Sequence, residues 1–316
     1  MEMIKFKSAL TFEELVNLSI RILGPDAALE SQAAGKKTSS SVIGVSNGRN
    51  AAPDTLCFID RTPTPEALTF LKDAWVLTNR EMAADLPECS LLIVDDPRAL
   101  LIDLINEILT DRGFCCFTSL AGAAPFIHAD AEIHESAVIE EGVSIGKGSR
   151  IAAGCVIKAG TVIGNHVIVR ENTTIGSDGI ALYKAKDGRV LRFPHLAGVL
   201  IEDNVEIGAS CVLSKGVMHS TRIGKDSVIG NLSNVGHAAQ IGPKVWMSVG
   251  CIIGGNTIIG TGSTLGLAVA VRDNLRIGKN CSIGMGSVVV NDLPDNHSVF
   301  GNPARRLPQV NAGPDR

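Results

Sequence analysis

The sequence predicts a mainly β chain: a parallel β-helix of hexapeptide repeats preceded by a small N-terminal α/β domain. Three observations predict it. Aliphatic residues recur at every sixth position from Ile127 through Ile133, Ile139, Ile145, Ile151, Ile157, Ile163 and Val169 to Ile175, resume at Ile201, Ile207 and Leu213, and return in a new frame from Ile223 to Val289. The next residue is often glycine, as at Gly146, Gly164, Gly208, Gly224 and Gly278. Aromatic residues make up only 4% of the chain, which suits a narrow interior filled by stacked Ile and Val. A period of six fits neither a helical turn nor a plain alternating strand. Three hexads close one triangular coil, so residues eighteen apart stack at about 4.8 Å, the spacing between neighbouring strands.

Residues 1–120 lack the repeat and read as the α/β domain. Thr11 followed by Glu14 forms a capping box that opens a helix, with Phe12, Leu15, Val16, Ile20 and Ile22 on or near one face. Short strands follow at Ser41 to Gly44, Leu56 to Ile59, Ala74 to Leu77 and Leu91 to Val94, and a second helix runs from Pro97 to about Thr110. Gly113 to Pro125 is the linker into the β-helix, which occupies 121–298. An excursion at 179–198, with the chain's single tyrosine, interrupts the repeat. The ten-residue step from Leu213 to Ile223 implies a shortened or bulged corner. Residues 299–316 form a short polar tail.

A chain of 316 residues can bury a sizeable core. A formal charge of -4 leaves no basic footprint for nucleic acid. No apolar run reaches the length of a transmembrane segment, and none has the layout of a secretory signal, so the expectation is a cytoplasmic protein. Eight cysteines occur without a CxxC pair. Cys155, Cys211, Cys251 and Cys281 sit at small-residue positions of the repeat and read as reduced packing residues. Cys115 and Cys116, near the domain junction, are assigned no chemistry. Scattered single histidines give no metal site.

Four segments carry a more specific signal: Ile175-Gly-Ser-Asp-Gly179, Phe193-Pro-His-Leu-Ala-Gly-Val-Leu-Ile201, Val205-Glu-Ile-Gly-Ala209 and Asn231-Leu-Ser-Asn-Val-Gly-His237. In this order, after a small α/β domain, they resemble the UDP-3-O-acylglucosamine N-acyltransferase family, most closely over 175–260. The resemblance implies a left-handed parallel β-helix and acyl transfer from a thioester to a sugar amine. It makes His237 the general base. A neutral imidazole with a pKa near 6.5 suits removal of the amine proton. It makes the N–H of Gly255, eighteen residues further on, the donor to the oxyanion. The missing side chain at Gly255 is expected to leave room for the acyl group.

Other residues follow as expectations. Substrate binding falls to Phe58, Asp178, Tyr183, His195, Asn231 and Asn274, with His195 equally readable as structural. Gly254 and the basic pair Arg305 and Arg306 are assigned to the acyl donor, the arginines being equally readable as a solvated tail. No permanently bound cofactor is implied, only a thioester co-substrate carried by acyl carrier protein or coenzyme A. The family also implies a homotrimer with a groove for the pantetheine arm between neighbouring subunits.

The chain departs from the family at several points. Gly230 stands where an aspartate is expected, and Asn274 where a second histidine would fall. The ten-residue step reads Ser214-Lys215 in place of an acidic-arginine pair, and no tyrosine follows Phe58. The ending Val299-Phe-Gly-Asn-Pro-Ala-Arg-Arg306 is similar to that of coenzyme A-dependent sugar acetyltransferases. Two alternatives therefore stand beside the first reading: an acetyl-CoA-dependent N-acetyltransferase of a nucleotide deoxyamino sugar, and a non-catalytic binding or scaffold protein.

Overall fold

The computed structural model describes residues 3–24, 28–32, 41–49, 51–111 and 124–306. Cys115, Cys116, most of the expected linker and the tail beyond residue 306 lie outside the described residues. The described chain falls into two compact units. One holds the residues before 112 with Ile180–Ala197 and Val217–His219; the other holds 124–179, Gly198–Gly216 and 220–306.

In the first unit the order is β1 (Met3–Thr11), α1 (Phe12–Leu23), β2 (Glu30–Gln32), β3 (Ser41–Ser46), β4 (Thr55–Ile59), α2 (Pro65–Leu71), β5 (Trp75–Thr78), α3 (Arg80–Ala83), β6 (Ser90–Ile93) and α4 (Pro97–Asp111). The strands form one sheet in the order β1-β3-β4-β5-β6-β2. The inner four run parallel, and the edge strands β1 and β2 run antiparallel to their neighbours. The capping box is present: Thr11 Oγ1 accepts from Glu14 N–H at 3.1 Å, and Glu14 Oε2 accepts from Thr11 N–H at 2.8 Å. Strand β1, absent from the sequence expectation, buries Ile4 and Phe6 and exposes Lys5 and Lys7. Helices α2 and α3 are short and capped by Thr64 and Asn79.

The excursion belongs to this unit, not to the β-helix domain in which the repeat alone would place it. Its strands Leu182–Lys184 and Val190–Arg192 form an antiparallel hairpin. Asp96, at the start of α4, accepts from Tyr183 Oη and from Lys186 N–H, both at 2.9 Å. Arg189 reaches Asp103 at 3.1 Å, and Phe193 is buried in the same apolar core as Leu100 and Leu104. These bonds give the segment partners that a corner of a rod could not supply. The ten-residue step proves to be a bulge: Leu196 N–H donates to Val217 O at 3.0 Å, and Met218 joins the same core.

Among the described residues the second unit is a left-handed parallel β-helix with three faces of eight, ten and eight strands, the last of the ten, Arg305–Arg306, pairing antiparallel. Ile127, Ile145, Ile163, Ile201, Ile223, Ile241, Ile259 and Ile277 pair in register along the first face. The second face carries Ile229 and Met247, and the third carries Leu213, Val235, Ile253 and Val271. From Ile145 onward these inward aliphatics are buried in one continuous core.

A polar contact repeats beside the aliphatic stack. The hydroxyls of Ser149, Ser227 and Ser263 donate to the carbonyls of Gly164, Gly242 and Gly278 at 2.8–2.9 Å. Cys155 and Cys251 stand in the same slot and reach Arg170 O and Gly266 O at 3.0 and 3.3 Å. Both are free and buried, and burial pushes both thiols up, away from the reactive thiolate.

Where the chain re-enters after the hairpin, Gly198 is required: a Cβ there would lie 1.8 Å from Gly160 O. On the third face the outward row reads Val138, Val156, Thr174, Val212, Asn234, Ile252, Ala270 and Val288, while the first face mixes Phe126, Val162, Leu200 and Ile258 with Ser144, Arg222, Gln240 and Arg276. Among the described residues no helix is long and apolar enough to cross a membrane.

Candidate active site

His237 lies on the corner between the third and first faces, two residues after the inward Val235. The corner is held from several sides. Ala238 N–H donates to the buried Thr221 Oγ1 at 2.8 Å, and Thr221 Oγ1 donates to Ser214 O at 2.6 Å. Gln240 Nε2 donates to the carbonyls of Ser220 and Ala238 at 2.7 and 3.2 Å. His237 O accepts from Asn256 N–H at 2.8 Å, which locks it to the next coil. Thr221 and Gln240 escape sequence reasoning: Thr221, buried on the inward side of its strand, reads as a packing residue, and Gln240, at an outward position, carries no signal of its own.

Residues 237, 255 and 273 occupy one place on three successive coils. Val235, Ile253 and Val271 pair in register, and Asn274 N–H donates to Gly255 O at 2.9 Å. A Cβ on Gly255 would meet His237 Nε2 at 2.5 Å and Cε1 at 2.6 Å. The space over Gly255 is thus filled by the imidazole, not left for an acyl group as the sequence suggests. Gly254 has a separate reason to be glycine: its Cβ would lie 2.3 Å from Asp273 N.

Gly255 is buried, and its N–H donates to no acceptor among the described residues. A buried donor without a partner is costly, which makes it a feature to explain. His237 itself is half-buried. Burial holds its imidazole below the ordinary histidine value, and the Asp273 carboxylate pulls in the opposite direction. Asp273 does not figure in the sequence expectation. Stepping eighteen residues from Gly255 finds it.

The same corner carries charge on earlier coils. Lys158 Nζ bonds Glu140 Oε1 at 2.6 Å and holds that carboxyl below its usual range, and Lys215 Nζ lies 3.0 Å from Asp178. Asp178 is therefore on the expected edge, paired with a lysine. Asn274 is there too, but with a backbone reason: its φ of 60° is left-handed, and its Nδ2 donates to Asp273.

Other candidates fall elsewhere. Asn231 sits between the second and third faces, where its Oδ1 accepts from Ala209 N–H at 2.9 Å. Arg305 and Arg306 pair antiparallel with Phe300 and Val299 at the end of the second face, and both are exposed. Phe58, Tyr183 and His195 belong to the first unit. The Arg98 guanidinium covers Phe58 at 5.1 Å and Tyr183 at 4.9 Å while bonding Asp60 at 2.6 Å. Both rings are thereby engaged within the unit, and His195 is buried there at 8% exposure. Among the described residues no group of three His, Cys, Asp or Glu is placed to hold a metal ion.

Residues 124–159 match the model of the bacterial transferase hexapeptide, six repeats. A UDP-3-O-acylglucosamine N-acyltransferase of Methylorubrum extorquens (strain PA1) is 31% identical over 142 residues, 45% of this chain and 40% of that protein. One from Methylorubrum populi is 30% identical with the same coverage. The chain thus spans less than half the length of these curated relatives. Among solved structures, a UDP-N-acetylglucosamine acyltransferase of Francisella novicida shares 26% identity over 61% of this chain and 69% of that one, with a TM-score of 0.48. That of Moraxella catarrhalis RH4 shares 23% over 58% and 72%, with a TM-score of 0.40. The chain therefore carries the hexapeptide repeat of bacterial transferases, and over 45% of its length it is similar to UDP-3-O-acylglucosamine N-acyltransferases.

Proposed function

We propose that this protein is an N-acyltransferase that moves an acyl group from a thioester to the amine of a nucleotide-linked amino sugar. The observation that carries the reading is the buried, unengaged N–H of Gly255 beside the His237 imidazole. An acyl transfer needs both parts. The sugar amine attacks the thioester carbonyl and a C–N bond forms. His237 accepts the amine proton, and Gly255 N–H holds the oxyanion. Collapse of the intermediate breaks the C–S bond, and the imidazolium returns the proton to the departing thiolate. The products are an amide and a free thiol.

Similarity to UDP-3-O-acylglucosamine N-acyltransferases supports UDP-3-O-acylglucosamine as the first acceptor to try. The thioester is carried by acyl carrier protein or coenzyme A, and no permanently bound cofactor enters the reaction. The largely apolar outer side of the third face, with Ile252 56% exposed and only Thr174 and Asn234 polar, supports a homotrimer packed through that face, with the pantetheine arm lying along the rod between subunits. Reduced, buried cysteines suit the cytoplasm.

One observation favours the narrower alternative, an acetyl-CoA-dependent enzyme for a deoxyamino sugar. Arg98 covers a face of Phe58, the ring expected to bind the nucleotide sugar of the first reading. Paired assays decide: UDP-3-O-acylglucosamine with a long-chain acyl carrier thioester, and UDP- and dTDP-amino sugars with acetyl-CoA, each with wild type and His237→Ala. Amide formation that disappears in His237→Ala supports the reading. Equal and negligible amide from both proteins across the panel overturns it in favour of a binding protein.

A further inference from the structure

We propose that Asp273 is the positioning carboxylate of this site: it faces the His237 imidazole across the glycine rung and balances the positive charge that forms when His237 takes up a proton. The proposal rests on the acyl-transfer reading above and adds a residue to it.

One capping contact recurs along this fold. At the other two corners, an Asn or Asp on the next coil caps the first turn N–H of the coil before it. Lys147 N–H donates to Asn165 Oδ1 at 2.9 Å, Asn165 N–H to Asp203 Oδ1 at 2.7 Å, Ala209 N–H to Asn231 Oδ1 at 2.9 Å and Lys279 N–H to Asp295 Oδ1 at 2.8 Å. Asp273 stands in the equivalent place for Gly255: it lies one coil on and two residues past the inward Val271, as Asn165 lies two past Ile163. Yet Gly255 N–H does not donate to it, and the carboxylate is engaged by Asn274 Nδ2 instead. An acid in the capping position that does not cap leaves two groups available at once, a donor N–H and a negative charge.

The imidazole supplies the reason. It extends along the rod into the layer where a side chain at 255 would stand. The next layer in that direction, about 4.8 Å further, is that of Asp273. With glycine at 255, no side chain separates ring and carboxylate. The opposing pull of Asp273 on the proton affinity of His237 agrees with this arrangement. An imidazolium is formed only transiently, so a carboxylate in this place favours the state in which the amine has lost its proton.

NMR titration of the histidine side chains in the full-length protein tests the proposal without any substrate. The His237 signal is identified by its loss in His237→Ala. In Asp273→Asn its midpoint is expected to move to lower pH, and in Asp273→Glu to stay near wild type. An unmoved midpoint in a folded Asp273→Asn protein overturns the proposal. With the acceptor and thioester that give turnover, Asp273→Asn is expected to lower kcat by about ten- to a hundredfold, to leave KM within about twofold and to move the acid limb of kcat/KM downward. Wild-type kcat and an unmoved limb also overturn it. Wild-type turnover in His237→Ala would instead sink the general-base reading, whereas a dead His237→Ala beside a fully active Asp273→Asn sinks the role of Asp273 alone.

Discussion

The ring of His237 occupies the place of a side chain that Gly255 lacks, with Nε2 only 2.5 Å from where a Cβ would stand. No positive φ is needed at Gly255, so the demand there is for space rather than for an unusual backbone. Gly255→Ala should therefore leave the fold stable to within about 1 kcal/mol, because a movable ring yields to the methyl. It should cut amide formation by about a hundredfold or more, because the base is displaced. Gly254→Ala meets backbone instead and should cost about 1–3 kcal/mol of stability. Thermal melts and product assays on the two variants separate these effects.

The pH behaviour of His237 has a definite sign. Burial lowers its folded pKa beneath the ordinary 6.5, so the folded protein binds this proton more weakly than the unfolded chain. Its contribution to stability is complete above the ordinary value and is lost as pH falls from there through the lower folded value. The difference in urea midpoint between wild type and His237→Gln should change across that window and be flat above it. For the same reason the acid limb of kcat/KM should lie below pH 6.5.

Arg98 should act as a clasp for the hairpin. Its guanidinium lies over Phe58 and Tyr183 and bonds Asp60. Arg98→Ala is expected to lower stability by about 1–3 kcal/mol and to speed amide exchange in residues 182–192. Hydrogen exchange followed by mass spectrometry reads both, and unchanged protection of the hairpin would show that Asp96 and Asp103 suffice.

The third face makes a prediction about assembly. Ile252→Arg places a charge in the outer row of Val138, Val156, Val212, Ala270 and Val288, which only Thr174 and Asn234 interrupt. For the proposed homotrimer, sedimentation velocity is expected to show a trimer for wild type and a monomer for Ile252→Arg, with the circular dichroism of the rod retained. A trimeric variant would move the packing surface to another face.

What could be read from the sequence followed from how local each cause is. The hexad frame is visible because each hexad repeats the same inward aliphatic, and the coil register follows from counting. His237 and Gly255 could be paired by that count alone. The hairpin's place in the first unit was not legible, since it depends on Asp96, Asp103 and a core built from residues far away in sequence. Asp273 was hidden for a different reason. An acid on a corner is ordinary in this fold, and it stands out only once its failure to cap Gly255 is seen. Strand β1 was missed because its alternation is clear at only four residues, Ile4 to Lys7.

The chain leaves the rod twice and both times rejoins in register, with Ile163 against Ile201 and Ile201 against Ile223. Growth at those two exits is consequently neutral for everything downstream, however long the added sequence becomes. Loss of one hexad between Leu265 and Ile283 is not: each later aliphatic would shift to a neighbouring side of the triangle, and the chain's end would swing a third of a turn. New specificity is thus free to accumulate in the exits, while the spacing of the coils that carry His237 and Asp273 stays fixed.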